Sequence, residues 1–291
     1  MIMKMSQSFA QSLGFELVKE IANRRGSFVW KVAKDGHFFA MKGCDPDIQD
    51  TYDRQRLIRR ETAILRELGS LAGNQYADSG EDAIYGAWLL LRWIDGQTAS
   101  EVSKEIRTSG HVDAWRKLIP WFISIAKTYA QIHEVGFLHG DVQTQHIFFE
   151  ERTGEIVILD WGLAQRVGDS SFPYKGGFVH YAAPEIALGM LECREAIDYG
   201  VAAEIYSLGA LFHLMYTGET AVDYGSGHLA QTPFQDKLKA VSQGRLRTFP
   251  DSDDVDEVRM QDVIKRCLLK DSSSRFGSVR ELLQAFRSVL A

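Results

Sequence analysis

Two short segments hold the residues of this chain best suited to chemistry. His139-Gly140-Asp141-Val142-Gln143-Thr144-Gln145-His146 sets an aspartate in a polar loop just after a helical stretch. Leu159-Asp160-Trp161-Gly162 sets another at the end of the apolar run Ile156-Val157-Ile158-Leu159, with a glycine two positions on. Carboxylates placed in this way suit two jobs in phosphoryl transfer. One accepts a hydroxyl proton; the other grips a magnesium ion that neutralises phosphate charge. An isolated aspartate in a loop is more commonly a turn cap, so the meaning of each rests on the elements that position it.

Those elements change character along the chain. Residues 15–21 and 28–32 read as strands joined by a turn containing Gly26. Asp35-Gly36 is a hairpin signal, with a third strand at 38–42. Asp45 and Pro46 signal the start of a long helix through Leu68, which Gly69 ends. Residues 84–93 form a further apolar strand. After Asp95-Gly96, helical periodicity appears at 115–135, 202–216, 256–269 and 279–290. The pattern predicts an α+β protein, sheet-rich in its first third and helical in the rest.

Bulk properties narrow the class. The chain has 291 residues, 45% of them hydrophobic and 25% charged, as in ordinary globular proteins. A net charge of −6 with no long basic run speaks against nucleic-acid binding. Three scattered cysteines, Cys44, Cys193 and Cys267, show no zinc spacing and fit a reducing compartment. The start MIMKMSQSFAQS lacks a signal-peptide core, and no apolar run reaches membrane-spanning length. The expectation is a cytoplasmic protein without membrane or nucleic-acid partners; its oligomeric state is left open.

With these pieces in order, the chain resembles the protein-kinase family from about Phe15 to Leu290. Phe39-Ala40-Met41-Lys42 is similar to the strand motif whose lysine holds the α- and β-phosphates of ATP and pairs with a helix glutamate. Glu61, nineteen positions on, is the partner that a strand–turn–helix return would deliver. Leu91-Arg92-Trp93-Ile94-Asp95-Gly96 resembles the hinge, where the backbone of Arg92 and Ile94 would bond the adenine edge. Gly177-Phe178-Val179-His180-Tyr181-Ala182-Ala183-Pro184-Glu185 resembles the segment that receives a peptide substrate. Glu204-Ile205-Tyr206-Ser207-Leu208-Gly209 resembles the start of the central helix, and Lys270-Asp271-Ser272-Ser273-Ser274-Arg275 the late arginine motif. Glu185 and Arg275 are thus expected to form a buried ion pair.

The resemblance implies a bilobal fold. Residues 1–14 would be an extension. Residues 15–93 would be an antiparallel sheet lobe with one main helix, and 94–291 a larger helical lobe. It implies catalytic roles for Asp141, Lys42 and Glu61. ATP would be bound by Ile21, Gly26, Val29, Ala40, Lys42, Leu91, Arg92, Ile94 and Phe148. Asp160 and His146 would hold metal, Mg²⁺ or alternatively Mn²⁺. His139 would be structural, and Trp161 would pack inward where the family usually has Phe. The implied reaction is ATP-dependent transfer to a protein hydroxyl, Ser/Thr favoured. A nucleotide- or protein-binding pseudokinase and a small-molecule phosphotransferase are the alternatives.

Several positions depart from the family pattern. The phosphate-covering loop keeps one glycine, Gly26, and carries Arg24 and Arg25. Gly140 replaces the arginine that clamps a phosphorylated activation loop, so activity is expected not to depend on phosphorylating Ser170, Ser171 or Tyr174. Gln143 stands where Ser/Thr kinases usually have a lysine near the transferred phosphate, and Phe178 where they usually have a threonine that bonds the catalytic aspartate, so the acceptor class is less marked than the fold. His146 occupies the position of the asparagine that binds the second magnesium, and imidazole suits Mn²⁺ or Zn²⁺ better, so either one metal suffices, or Mn²⁺ is preferred, or catalysis is slow. Glu204 replaces an aspartate that braces the catalytic loop, keeping the charge on a longer arm.

Overall fold

The structure is a computed structural model that describes residues 8–24, 27–44, 51–111, 113–169, 174, 176–225 and 230–290. By contact the chain divides into two compact units, 1–95 with 160–162, and 96–159 with 163–291. Gly26, Arg25, Asp45, Pro46, Ser170 and Ser171 lie outside the described residues.

The first unit is built on a five-stranded antiparallel sheet. Its strands are β1 (Glu16–Arg24), β2 (Ser27–Lys34), β3 (His37–Cys44), β4 (Tyr76–Asp82) and β5 (Gly86–Arg92), in the order β1-β2-β3-β5-β4. Alternation decides what each face carries. Phe28, Trp30, Val32, Met41, Trp88 and Leu90 point to one side and bury themselves with Phe9 and Ala10 from a helical turn at 8–12. Phe28 and Trp30 stack at 3.6 Å. On the other pleat Lys42 lies across from Val29 and Leu89, and Ala40 across from Leu91. The β2–β3 hairpin closes through Asp35 and Gly36, both at positive φ (50° and 77°), as a two-residue turn requires.

Helix α1 (Thr51–Leu68) packs on β3 and β5. Its buried stripe is Ile58, Glu61, Ile64, Leu65 and Leu68, the 3–4 spacing of one helical face. Gly69 follows at φ 52°, ending the helix where expected. Two expectations need correction. The strand anticipated from residue 84 begins at Gly86, because Asp82 Oδ1 accepts the N–H groups of Ile84 and Tyr85 and folds them into a turn. Strand β4 was not anticipated. Its sequence, YADSGED, is polar because it is an edge strand with little to bury.

The second unit is mainly helical: α2 (Ala99–Thr108), α3 (Ala114–Glu134), α4 (Pro184–Leu191), α5 (Val201–Thr217), α6 (Phe234–Gln243), α7 (Val255–Cys267) and α8 (Val279–Arg287). Short strands β6 (Gly96–Thr98), β8 (Ile147–Glu150) and β9 (Ile156–Ile158) form one small sheet; β7 (Phe137–Leu138) and β10 (Gln165–Arg166) form another. Helix α5 is central, buried from Ala203 to His213 and packed against α2, α3 and α7. Gly209 makes the α7 contact possible: a Cβ there would lie 2.5 Å from Cys267 Cβ. Helices α2, α4 and α6, of 10, 8 and 10 residues, were not anticipated. Among the described residues no helix is long and apolar enough to cross a membrane.

Candidate active site

In the first unit, β3 and α1 bring an amine to a carboxylate. Lys42 Nζ donates to Glu61 Oε1 at 2.7 Å and to Asp160 Oδ1 at 3.3 Å. Glu61 Oε1 also accepts from the Trp161 backbone N–H at 3.3 Å. Glu61 is 3% exposed, so the apolar stripe of α1 carries a carboxylate into the packed face of the sheet. Burial opposes the charge of Lys42, but Asp160 and then Glu61 outweigh it and hold the ammonium form above its ordinary range. Burial pushes the Glu61 carboxyl up against the pull of Lys42. Asp160 sits at φ 65°, a left-handed conformation that aspartate tolerates better than most residues. Trp161 is fully buried, as expected.

The other residues expected to bind nucleotide are spread over the same sheet. Ile21 is exposed on β1; Val29 and Ala40 are half-buried on β2 and β3; Leu91 is buried on β5. The Arg92 N–H donates to Gln75 O at 2.7 Å. Ile94 follows β5. Phe148 belongs to the second unit, on β8 opposite Thr98 and Val157.

In the second unit the catalytic-loop segment hangs from α5. Glu204 Oε1 accepts from the His139 N–H at 2.7 Å and the Gly140 N–H at 2.8 Å, while Oε2 bonds His133 Nε2 from the end of α3. Burial works against the Glu204 charge, yet the hydrogen bond and charge of His133, with help from His139 and the Gly140 N–H, pull its carboxyl below the usual range. The longer arm therefore serves as the expected brace, and His133 is a partner the sequence reading missed. His139 is fully buried and its Nε2 lies 3.1 Å from Leu159 O, which fits a structural role.

Asp141 follows directly. Gln143 Nε2 donates to Asp141 Oδ2 at 3.2 Å. His146 Nδ1 lies 3.1 Å from Asp141 O. A carbonyl can only accept, so Nδ1 carries a proton and Nε2 is left as the ring's lone-pair nitrogen when the ring is neutral. Thr144 bonds the Tyr181 hydroxyl through Oγ1 at 3.1 Å and through its N–H at 3.3 Å. Phe178 is exposed and makes no polar link, as its side chain dictates.

Glu185 and Arg275 meet as expected in a fork, Nη1–Oε1 at 2.7 Å and Nη2–Oε2 at 2.8 Å. The pair is less buried than anticipated: the Arg275 side chain is fully covered but that of Glu185 is 36% exposed. Ala202 O, Leu269 O and Lys270 O take further guanidinium protons, so the arginine ties the 269–270 segment to the first turn of α5.

The family model described as Protein kinase domain matches residues 16–286. The chain is 25% identical over 235 residues to a probable serine/threonine-protein kinase of Clostridium acetobutylicum, covering 79% of this chain and 32% of that one. It is 26% identical over 219 residues to the serine/threonine-protein kinase PknJ of Mycobacterium tuberculosis, covering 70% and 33%. It is 28% identical over 189 residues to the serine/threonine-protein kinase PrkC of Bacillus subtilis, covering 61% and 27%. The chain thus spans about a third of the length of the curated relatives it matches.

Proposed function

Because the chain belongs to the protein kinase family, we propose that it transfers the γ-phosphoryl group of ATP to a hydroxyl of a protein, with Ser/Thr favoured. The observation that carries this reading is the contact of Lys42 with Glu61 and Asp160, from three places distant in the chain. An ammonium held charged by two carboxylates is a phosphate-binding group kept in one orientation. Nothing in sheet stability calls for it, since burying such a pair is generally no better than apolar packing.

The roles follow from the atoms. Lys42 takes α- and β-phosphate oxygens, and Glu61 aims it. Asp141 accepts the proton of the incoming hydroxyl, with Gln143 fixing its Oδ2. Asp160 offers hard carboxylate oxygen to a divalent cation, its side chain 49% exposed, and His146 offers nitrogen. A nitrogen donor favours Mn²⁺ over Mg²⁺ relative to an all-oxygen set. When bound, the ion would neutralise charge on the transferring phosphate. The relatives' names support a Ser/Thr acceptor, and the three cysteines, all free, suit a cytoplasmic setting.

The test is transfer of labelled γ-phosphate to a basic protein substrate with Mg²⁺ and with Mn²⁺. Wild type should transfer, and Asp141→Asn and Lys42→Met should be reduced by about two orders of magnitude or more. Wild-type turnover no faster than that of Asp141→Asn would overturn the reading. Tight nucleotide binding without turnover would instead assign a binding module.

A further inference from the structure

Gly140, at φ 77°, leaves no room for the clamping arginine. A Cβ there would lie 2.6 Å from Leu163 O, a backbone atom, and 3.3 Å from Cε2 of Tyr174. The tyrosine ring thus stands beside the place where a side chain at 140 would begin. Its hydroxyl donates to Gly140 O at 2.6 Å and accepts the Gly177 N–H. Its backbone carbonyl accepts from the Ile197 N–H at 3.0 Å, and its ring leans on Tyr199 with centroids 4.5 Å apart. Tyr174 is 3% exposed. Gly140 is consequently held from both sides, its N–H by Glu204 and its carbonyl by Tyr174, immediately before Asp141. Gly177 allows the segment to run this close, since a Cβ there would meet Asp141 Oδ1 at 3.0 Å and the Tyr174 hydroxyl at 3.2 Å.

We infer that Tyr174 is a positioning residue that fastens the segment leading to Ala-Pro-Glu onto the catalytic loop through neutral hydrogen bonds, in place of a phosphate-dependent clamp. This rests on the kinase reading for its effect on turnover, but not for the contact itself. Burial, with the charges of Asp141 and Glu204, pushes the phenol well above its ordinary range, so it stays a donor. A phosphate on this oxygen would remove the donated proton and place new negative charge among those same carboxylates. Tyr174 is therefore a clamp only while unmodified.

The experiment compares Tyr174→Phe with wild type by turnover, melting temperature and amide hydrogen exchange. The variant keeps the ring and loses both hydrogen bonds of the hydroxyl. Its kcat should fall about 5–10-fold, with KM for ATP within about twofold of wild type. Exchange at 139–142 and 176–178 should rise about tenfold relative to α5. Phosphatase treatment should leave wild-type kcat unchanged. Unchanged kcat and exchange in Tyr174→Phe, or loss of wild-type turnover on phosphatase treatment, would overturn the clamp. A wild type that transfers no phosphate, yet shows the exchange contrast, would overturn the kinase reading and support the clamp. A variant too unstable to assay is replaced by 4-fluorophenylalanine at 174, which fills nearly the same volume without the donated proton and should show the same two changes.

Discussion

Two buried glutamates face opposite fates. Glu61, on α1, and Glu204, on α5, are 3% and 0% exposed. Burial alone would raise both carboxyls. Glu61 has the Lys42 ammonium and one backbone N–H at 3.3 Å, with Asp160 nearby to oppose it, and its carboxyl ends above its usual range. Glu204 gathers two backbone N–H groups, His133 and the Tyr199 hydroxyl, and its carboxyl ends below that range. The number and fixity of donors, not depth, decide the charge. The contrast also separates roles. A carboxylate saturated by backbone donors is a fixed brace, whereas Glu61 is spent mainly on orienting one ammonium, that of Lys42.

The strongest way to break this comparison is at the brace. Glu204→Ala strands the His139 and Gly140 N–H groups in a closed interior and should destabilise by about 3–5 kcal/mol. Chemical denaturation should show it, and a change below about 1 kcal/mol would mean the loop is held by something else. Lys42→Met should do the reverse. Turnover should fall by about two orders of magnitude, worth ~2.7 kcal/mol of barrier, with a smaller change in melting temperature than Glu204→Ala.

The pH dependence should have opposite signs at the two sites. A carboxyl held below its unfolded value contributes stability that is present above about pH 4.3 and is lost as pH falls through the folded value. The stability gap between wild type and Glu204→Gln should therefore narrow on acidification below that point. Glu61 is held above its unfolded value, so its burial costs more as pH rises from about 4.3. Removing Lys42 exaggerates this, and the deficit of Lys42→Met should widen from pH 5 to pH 8. Parallel profiles for the two variants would erase the distinction.

His180 gives the smallest effect and sharpens the rule. It has the Tyr224 hydroxyl at 2.9 Å and, beside burial, only the repulsion of Lys237, which together bring it down from 6.5 to about 4. The unfolded chain then binds the extra proton between those values, so stability should rise with pH across that window, by at most ~1.4 kcal/mol per unit. His180→Phe should flatten the slope, as read from urea midpoints between pH 4 and pH 7.

The legible parts of the site were those written in local pattern. Lys42 ends a strand motif, Glu61 falls in the apolar stripe of a long helix, and Asp160 closes an apolar run, so each could be placed from its neighbours alone. The Glu185–Arg275 pair was legible from two recognisable segments, though its partial exposure was not. What stayed hidden was held by partners with no local mark. His133 is one of several polar residues near the end of α3 until Glu204, 71 positions away, reaches it. Tyr174 reads as a loop tyrosine until its hydroxyl meets Gly140, 34 positions back. Strand β4 was hidden for another reason: an edge strand buries too little to print a period.

By itself, then, the order of residues determined the α+β division, the long α1 with its stray carboxylate, the central α5, and which amine and carboxylates are proposed to react. These follow from periodicity and from residue chemistry that no fold can alter. Tertiary structure alone decided which buried carboxyl is drawn down and which is pushed up, that Gly140 admits no side chain, and that a phenol stands beside it. Those outcomes depend on distances of a few ångströms between groups far apart in the chain, and such distances exist only after the chain has packed.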